Sequence, residues 1–328
     1  MFMVGSTGLG GPLYHKDQVP AHFHERYIVK GYRNPKSSPF QCLLSVFDAT
    51  NETLNFWTHF LPSWYFMWIW RSLSETLDFK HDSYTWPLLG YMCMCCIYPL
   101  ASSVAHTFNT MSDNARHICF FLDYSAISAS AFATALAYRA YSFPSDLRHG
   151  KTGDVYLALA LVNSCFCIIV SCYSRFMKVS SFQKMMRISS LGIPCLFTTV
   201  PLAYRLVLGS GQDADLTSSY CHSLSLIFML LSGFVYGTHL PERLLPGTFD
   251  IVGHSHQLFH VFVIFGTLTQ MQGILYDMKE RRDLLFPDWE FTEVPSSIGL
   301  LGLVLIINTI LVIMFSVYLF SLSKSKKL

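Results

Sequence analysis

Gly253-His254-Ser255-His256-Gln257-Leu258-Phe259-His260 leads directly into an apolar run from Val261 to Leu275. The run is long enough for a membrane-spanning helix, and two histidines four residues apart stand at its start. At ~3.6 residues per turn, His256 and His260 fall on one face, one turn apart. His254 lies on another side of the same helix. Polar side chains at membrane depth are costly, so a stacked pair calls for a partner or a function. A divalent metal is the first candidate, because neutral imidazole is a common zinc ligand and an i, i+4 pair can share one ion. Histidines hydrogen-bonded between helices are the simpler alternative.

The rest of the chain supports a membrane setting. Of 328 residues, 52% are hydrophobic, 15% aromatic and only 13% charged, about half the roughly 25% charge typical of soluble domains. Mean hydropathy is +0.36. Eight mainly apolar stretches approach the ~20 residues that a bilayer span needs, at 54–72, 85–106, 117–138, 155–173, 188–208, 219–240, 253–275 and 296–320. The expected fold is therefore all-α, a polytopic membrane helical bundle. Residues 1–53 form an N-terminal segment, 54–320 the bundle, and 321–328 a short basic tail. Val19, Phe23 and Tyr27 recur every four residues, which fits a short interfacial helix or, equally, a surface turn packed on neighbouring loops.

A net charge of +2 excludes nucleic acid as an expected partner. No cleavable signal peptide is expected at Met1-Phe2-Met3-Val4. The ten cysteines, with Cys93, Cys95 and Cys96 inside one apolar run, are expected as buried small side chains rather than a disulfide framework. With the N-terminus in the cytosol, the inner segments hold 14 of the 23 Lys and Arg residues, in line with the positive-inside rule.

In that orientation, polar groups from separate spans meet at one depth. His106 ends the second span, Asp123 lies about two turns into the third, and His256 and His260 open the seventh. Glu52, Asn55 and His59 share one face at the same end of the first span, and Ser102 sits one turn before His106. Zinc would take His106, His256 and His260, and three protein ligands leave the fourth position open as in catalytic sites. Asp123 could act as a base and Ser102 could hydrogen-bond nearby. Helix-start chemistry is an equal alternative for Glu52 and Asn55.

Three separated motifs then resemble those of the progestin and adipoQ receptor family. They are Glu52-Thr53-Leu54-Asn55-Phe56-Trp57-Thr58-His59, the pair Ser102-Ser103-Val104-Ala105-His106 and Phe121-Leu122-Asp123-Tyr124, and His256-Gln257-Leu258-Phe259-His260. Phe23-His24-Glu25 and Gly31-Tyr32-Arg33 resemble the membrane progestin receptor subgroup, and His239-Leu240-Pro241-Glu242-Arg243-Leu244 is similar to its gamma and delta members. The resemblance implies a seven-helix core with a cytosolic N-terminus, joined by an eighth C-terminal transmembrane helix. It also implies zinc at the positions of His106, His256 and His260. Family members are described as steroid or adipokine receptors, and the wider superfamily contains alkaline ceramidases. The expected function is a plasma-membrane receptor for a progestin-like steroid or other lipid, signalling to cytosolic partners such as G proteins. Two alternatives stand beside it: a zinc-dependent lipid amidase using Asp123 and Ser102, and a purely structural zinc.

Overall fold

Before its first long helix the chain turns back on itself twice. The computed structural model describes residues 7–148, 151–178, 180–209, 215–291 and 294–325. Strand β1 (Thr7–Gly8) pairs antiparallel with β2 (Gly11–Pro12), and β3 (Tyr14–His15) pairs with β4 (Lys30–Tyr32). No helix runs from Val19 to Tyr27: a 3-10 turn covers Ala21–Phe23, and Tyr27 adopts a left-handed φ of 67°. A non-glycine residue in that region ends helical geometry. The apolar side chains instead close a small cluster of Val19, Phe23, Ile28 and Tyr32 inside the hairpin. The hairpin docks on neighbouring loops, with Lys30 N–H donating to Asp250 Oδ2 at 2.9 Å and Asn51 N–H to Gly31 O at 3.0 Å.

Helix α1 (Pro39–Leu44) starts in a capping box between Ser38 and Gln41, with Pro39 at the first turn. The long helices follow in order: α2 (Thr53–Leu73), α3 (Trp86–Phe108), α4 (Asp113–Ala137), α5 (Thr152–Ser174), α6 (Ser181–Leu208), α7 (Leu216–Thr238) and α8 (Ser255–Glu280). A one-turn α9 (Arg282–Leu285) precedes the final α10 (Val294–Ser325). Side-chain caps fix three of the starts. Ser112 Oγ accepts from Ala115 N–H, Ser180 Oγ from Gln183 N–H, and Asp215 Oδ1 from Ser218 N–H.

Seven of these helices, α3 to α8 and α10, are long and apolar enough to cross a membrane. The chain is thus an all-α, multi-pass membrane bundle. Helix α2 is equally long but carries Asn55, His59 and four tryptophans, which lower its hydropathy; Leu61, Trp64 and Trp68 are exposed along it. The last helix runs on to Ser325, so the first residues of the expected tail are helical; residues 326–328 and 1–6 lie outside the described residues. Every cysteine is a free thiol.

Helix α3 packs between α2 and α4, α7 lies along α8, and α10 covers α4 and α5, whereas α6 and α7 barely touch. Serines tie several of these contacts. Ser128 and Ser164 hydroxyls stand 2.6 Å apart between α4 and α5, Ser171 and Ser190 hydroxyls 2.8 Å apart between α5 and α6, and Ser225 donates to Gly266 O at 2.9 Å. Small side chains let helices approach closely where no hydrophobic effect drives them together.

The end of α8 far from its histidines holds a buried charge cluster. Arg205 of α6 meets Asp277 of α8 in a two-pronged ion pair, Nη1 to Oδ2 at 2.7 Å and Nη2 to Oδ1 at 2.9 Å. Ser218 Oγ and His222 Nε2 of α7 also donate to that carboxylate, at 2.7 and 3.1 Å. Arg205 and Asp277 are each only 1% exposed. Gly273 is needed beside it, because a Cβ there would lie 2.6 Å from His222 Cε1. Breaking a buried pair strands the remaining charge, at a cost of about 3–5 kcal/mol. Asp277→Ala should therefore lower the thermal unfolding midpoint in detergent markedly, and Arg205→Met/Asp277→Leu should recover part of that loss.

Candidate metal centre

The start of α8 is held from several directions, and this orients its histidines. Gly253, at φ 89°, donates to Gln257 Oε1 at 2.6 Å, and Gln257 Nε2 returns to Ile251 O at 2.9 Å. Ser255 N–H donates to Glu242 Oε2 at 2.7 Å, and the Ser255 hydroxyl donates to the other carboxylate oxygen. His254 leaves the cluster and donates Nε2–H to Asn51 O at 3.0 Å. His256 and His260 then project together toward α3.

There they meet His106. His256 Nε2 and His106 Nε2 are 3.2 Å apart, and one nitrogen from each of His106, His256 and His260 lies within 4.8 Å of the others. Zinc–nitrogen bonds of ~2.0–2.1 Å in a tetrahedral arrangement set ligand nitrogens about 3.3 Å apart. The His106–His256 separation meets that requirement, and His260 offers a third nitrogen within 4.8 Å of both. Tautomers fit as well. His106 Nδ1 faces Glu52 Oε2 at 2.7 Å, and His260 Nδ1 faces Asn55 O and Thr58 Oγ1, each at 3.1 Å. With Nδ1 engaged, Nε2 is left as the nitrogen available to an ion, the arrangement that carboxylate and carbonyl partners impose on metal-bound histidines.

Outward from the histidines, the support is continuous. Glu52 also accepts from Asn55 Nδ2 at 2.7 Å and Asn109 Nδ2 at 2.8 Å. Arg33 donates to His106 O, Thr107 O, Asn109 Oδ1 and Ser45 Oγ, which pins the end of α3. Burial raises the Glu52 carboxyl, but His106, Arg33 and Asn55 outweigh that and hold it well below the usual carboxylate range. His59 stacks on His260 with ring centroids 3.7 Å apart, and neither of its nitrogens has a hydrogen-bond partner among the described residues.

Asp123 and Ser102 are buried and line the same cavity, but neither joins the three close nitrogens. Asp123 Oδ1 has no hydrogen-bond partner among the described residues. The cavity measures about 890 Å³ and continues from the histidines between α3, α4, α6, α7 and α8. Tyr98 and Thr267 hydroxyls, 2.9 Å apart, and Gln270, bonded to Tyr91 and Tyr138 at 3.0 Å each, give its deeper wall polar points. Thr58, Asn109 and Arg33 carried no assigned role in the sequence, although Thr58 and Arg33 stand inside quoted motifs and Asn109 lies three residues after His106.

Comparison with known proteins places the chain among relatives of similar length. The profile of haemolysin-III-related proteins matches residues 47–271. The chain is 44% identical to human membrane progestin receptor gamma over 314 residues, 95% of each chain. It is 45% identical to human membrane progestin receptor delta over 295 residues, 88% of this chain and 83% of that one. Identity to membrane progestin receptor alpha of Cynoscion nebulosus is 30% over 269 residues, 80% of this chain and 76% of the relative.

The hydrogen bond from His106 to Glu52 carries a testable consequence. Loss of such outer partners typically weakens metal binding about 10–100-fold. Glu52→Gln should show that drop for zinc in a chelator competition titration, and unchanged affinity would disconnect Glu52 from the site.

Proposed function

Because the chain belongs to the haemolysin-III-related family of progestin and adipoQ receptors, beside membrane progestin receptors gamma and delta, we propose that it is a membrane receptor for a progestin-like steroid. The observation that carries this reading is the 44% identity spanning 95% of a relative with that name. The cavity supports it, since ~300–1,000 Å³ is the usual size of small-molecule sites and apolar walls with a few polar points suit a steroid. Zinc is the proposed ion for His106, His256 and His260. In this reading α2 crosses the membrane with the other seven helices, both termini face the cytosol, and the metal centre lies at the cytosolic end of the bundle. The excess of Lys and Arg in the corresponding loops favours that orientation. The receptor would reside in the plasma membrane and signal to cytosolic partners, G proteins among them.

Saturable progesterone binding by purified protein tests the receptor function, and its absence where a gamma relative binds would refute it. Metal analysis tests the centre. Wild-type protein should carry about one zinc per chain, and His256→Ala/His260→Ala should carry none.

A second reading, a zinc-dependent lipid amidase, is favoured by one feature: the unpartnered, buried Oδ1 of Asp123 in the same cavity. Bound zinc would supply Lewis acidity toward an amide carbonyl. Asp123 can accept and return a proton at Oδ1, and the Ser102 hydroxyl adds a donor on the cavity wall. Purified protein should then release fatty acid from a ceramide, and Asp123→Asn should abolish release while keeping zinc. Release that survives loss of His256, His260 and zinc would sink this reading.

A further inference from the structure

At the end of the bundle away from the three histidines, a buried arginine lies against a bare helix start. Arg139 stands in the π-helical turn Tyr138–Ser142 that continues α4, and it is only 6% exposed. Its guanidinium packs on Gly153 in the first turn of α5, where a Cβ would overlap Nε and Cζ. Glycine at that position is what lets the side chain reach the helix end. The N-cap residue of α5, Lys151, supplies no side-chain acceptor, which leaves the first-turn N–H groups uncapped among the described residues.

The two groups carry the same sign. A helix start is equivalent to roughly half a positive charge, the guanidinium adds a full one, and like charges repel strongly when withdrawn from water. Arg139 makes no hydrogen bond or ion pair among the described residues, and its Nε is buried without a partner. The Phe143 ring, its centroid 5.1 Å from the guanidinium carbon, offers no oxygen. Neighbouring groups are committed elsewhere: Arg148 donates to Leu284 O and Leu285 O, Arg281 to Tyr141 O and Phe143 O, and Asp146 accepts from Tyr204 Oη. Asp154, exposed in the first turn of α5, does not come within ion-pair distance of Arg139. Uncapped helix N–H groups and a guanidinium edge are the donors that hold phosphate oxygens, and a tetrahedral group can engage both sets at once.

We propose that Arg139 and the first turn of α5 form a binding site for a phosphate group. Neither Arg139 nor Gly153 lines the cavity beside the histidines, so the site is separate from it. Val155, Leu159 and Val162 continue down α5 as an exposed apolar stripe, a track for the acyl chains of a phospholipid whose head sits at Arg139. Free inorganic phosphate presents the same oxygens without the chains.

The test compares dioleoyl phosphatidic acid with dioleoylglycerol, which share acyl chains and differ by the phosphate, on full-length protein in detergent by native mass spectrometry. Inorganic phosphate is titrated separately. Wild type should bind phosphatidic acid at least ~10-fold more tightly than the diacylglycerol. Arg139→Gln should bring the two within about 2-fold, and Arg139→Lys should keep part of the preference. Asp154→Asn removes the neighbouring negative charge and should tighten phosphate binding about 3-fold or more, a gain that misfolding cannot produce. Inorganic phosphate binding as tightly as phosphatidic acid, and lost in Arg139→Gln, supports the site and assigns it to the free anion. Phosphate binding of either kind that survives Arg139→Gln overturns the proposal. Wild type that neither prefers phosphatidic acid nor binds inorganic phosphate overturns it as well. Unchanged or weaker phosphate binding in Asp154→Asn does the same, because the helix start and Arg139 would then not face the anion together.

Discussion

A charged or strongly polar side chain withdrawn from water is costly unless it is paired, and in a membrane bundle that partner commonly comes from another helix. The two ends of this bundle meet the constraint by different chemistry. At one end Arg205 and Asp277 neutralise each other, with Ser218 and His222 completing the carboxylate's shell. At the other, imidazoles gather around a point where an ion fits, and their outward nitrogens are held by Glu52, Asn55 and Thr58. From His260 to Asp277 is 17 residues of α8, about 25 Å at ~1.5 Å per residue. One rigid helix therefore fixes the separation of the two centres.

The three histidines were legible in the sequence because their signal is local and periodic. His256 and His260 share a face by helical spacing alone, and His106 followed from depth. Helix rotation was not legible, and it decides which side chains meet. Glu52 read equally well as helix-start chemistry, and only the arrangement of α2 against α3 turns it toward His106. The same limit applies to Asp123, which shares the cavity but does not join the close nitrogens.

Charges and turns limited the reading in a different way. The expected span 253–275 stopped short of Asp277, whereas α8 runs on to Glu280 and brings that carboxylate to Arg205, which lay inside its own span. Val19, Phe23 and Tyr27 carry helical spacing, which left helix and turn as equal alternatives; in the structure Ile28 and the strand residue Tyr32 join Val19 and Phe23 in a cluster closed by the hairpin. Periodicity over three positions cannot separate a short helix from a turn whose side chains happen to face one way. In α2, tryptophan and histidine depress the hydropathy of a helix whose length equals a span.

Helix α10 packs on α4, α5 and the far part of α3, anchored by Asn308 Nδ2 to Ser125 O at 3.2 Å. It supplies none of the histidines and none of their hydrogen-bond partners. The centre is thus complete within α2, α3 and α8. Among the described residues, removing α10 would therefore leave each of the three histidines and each partner named for them in place.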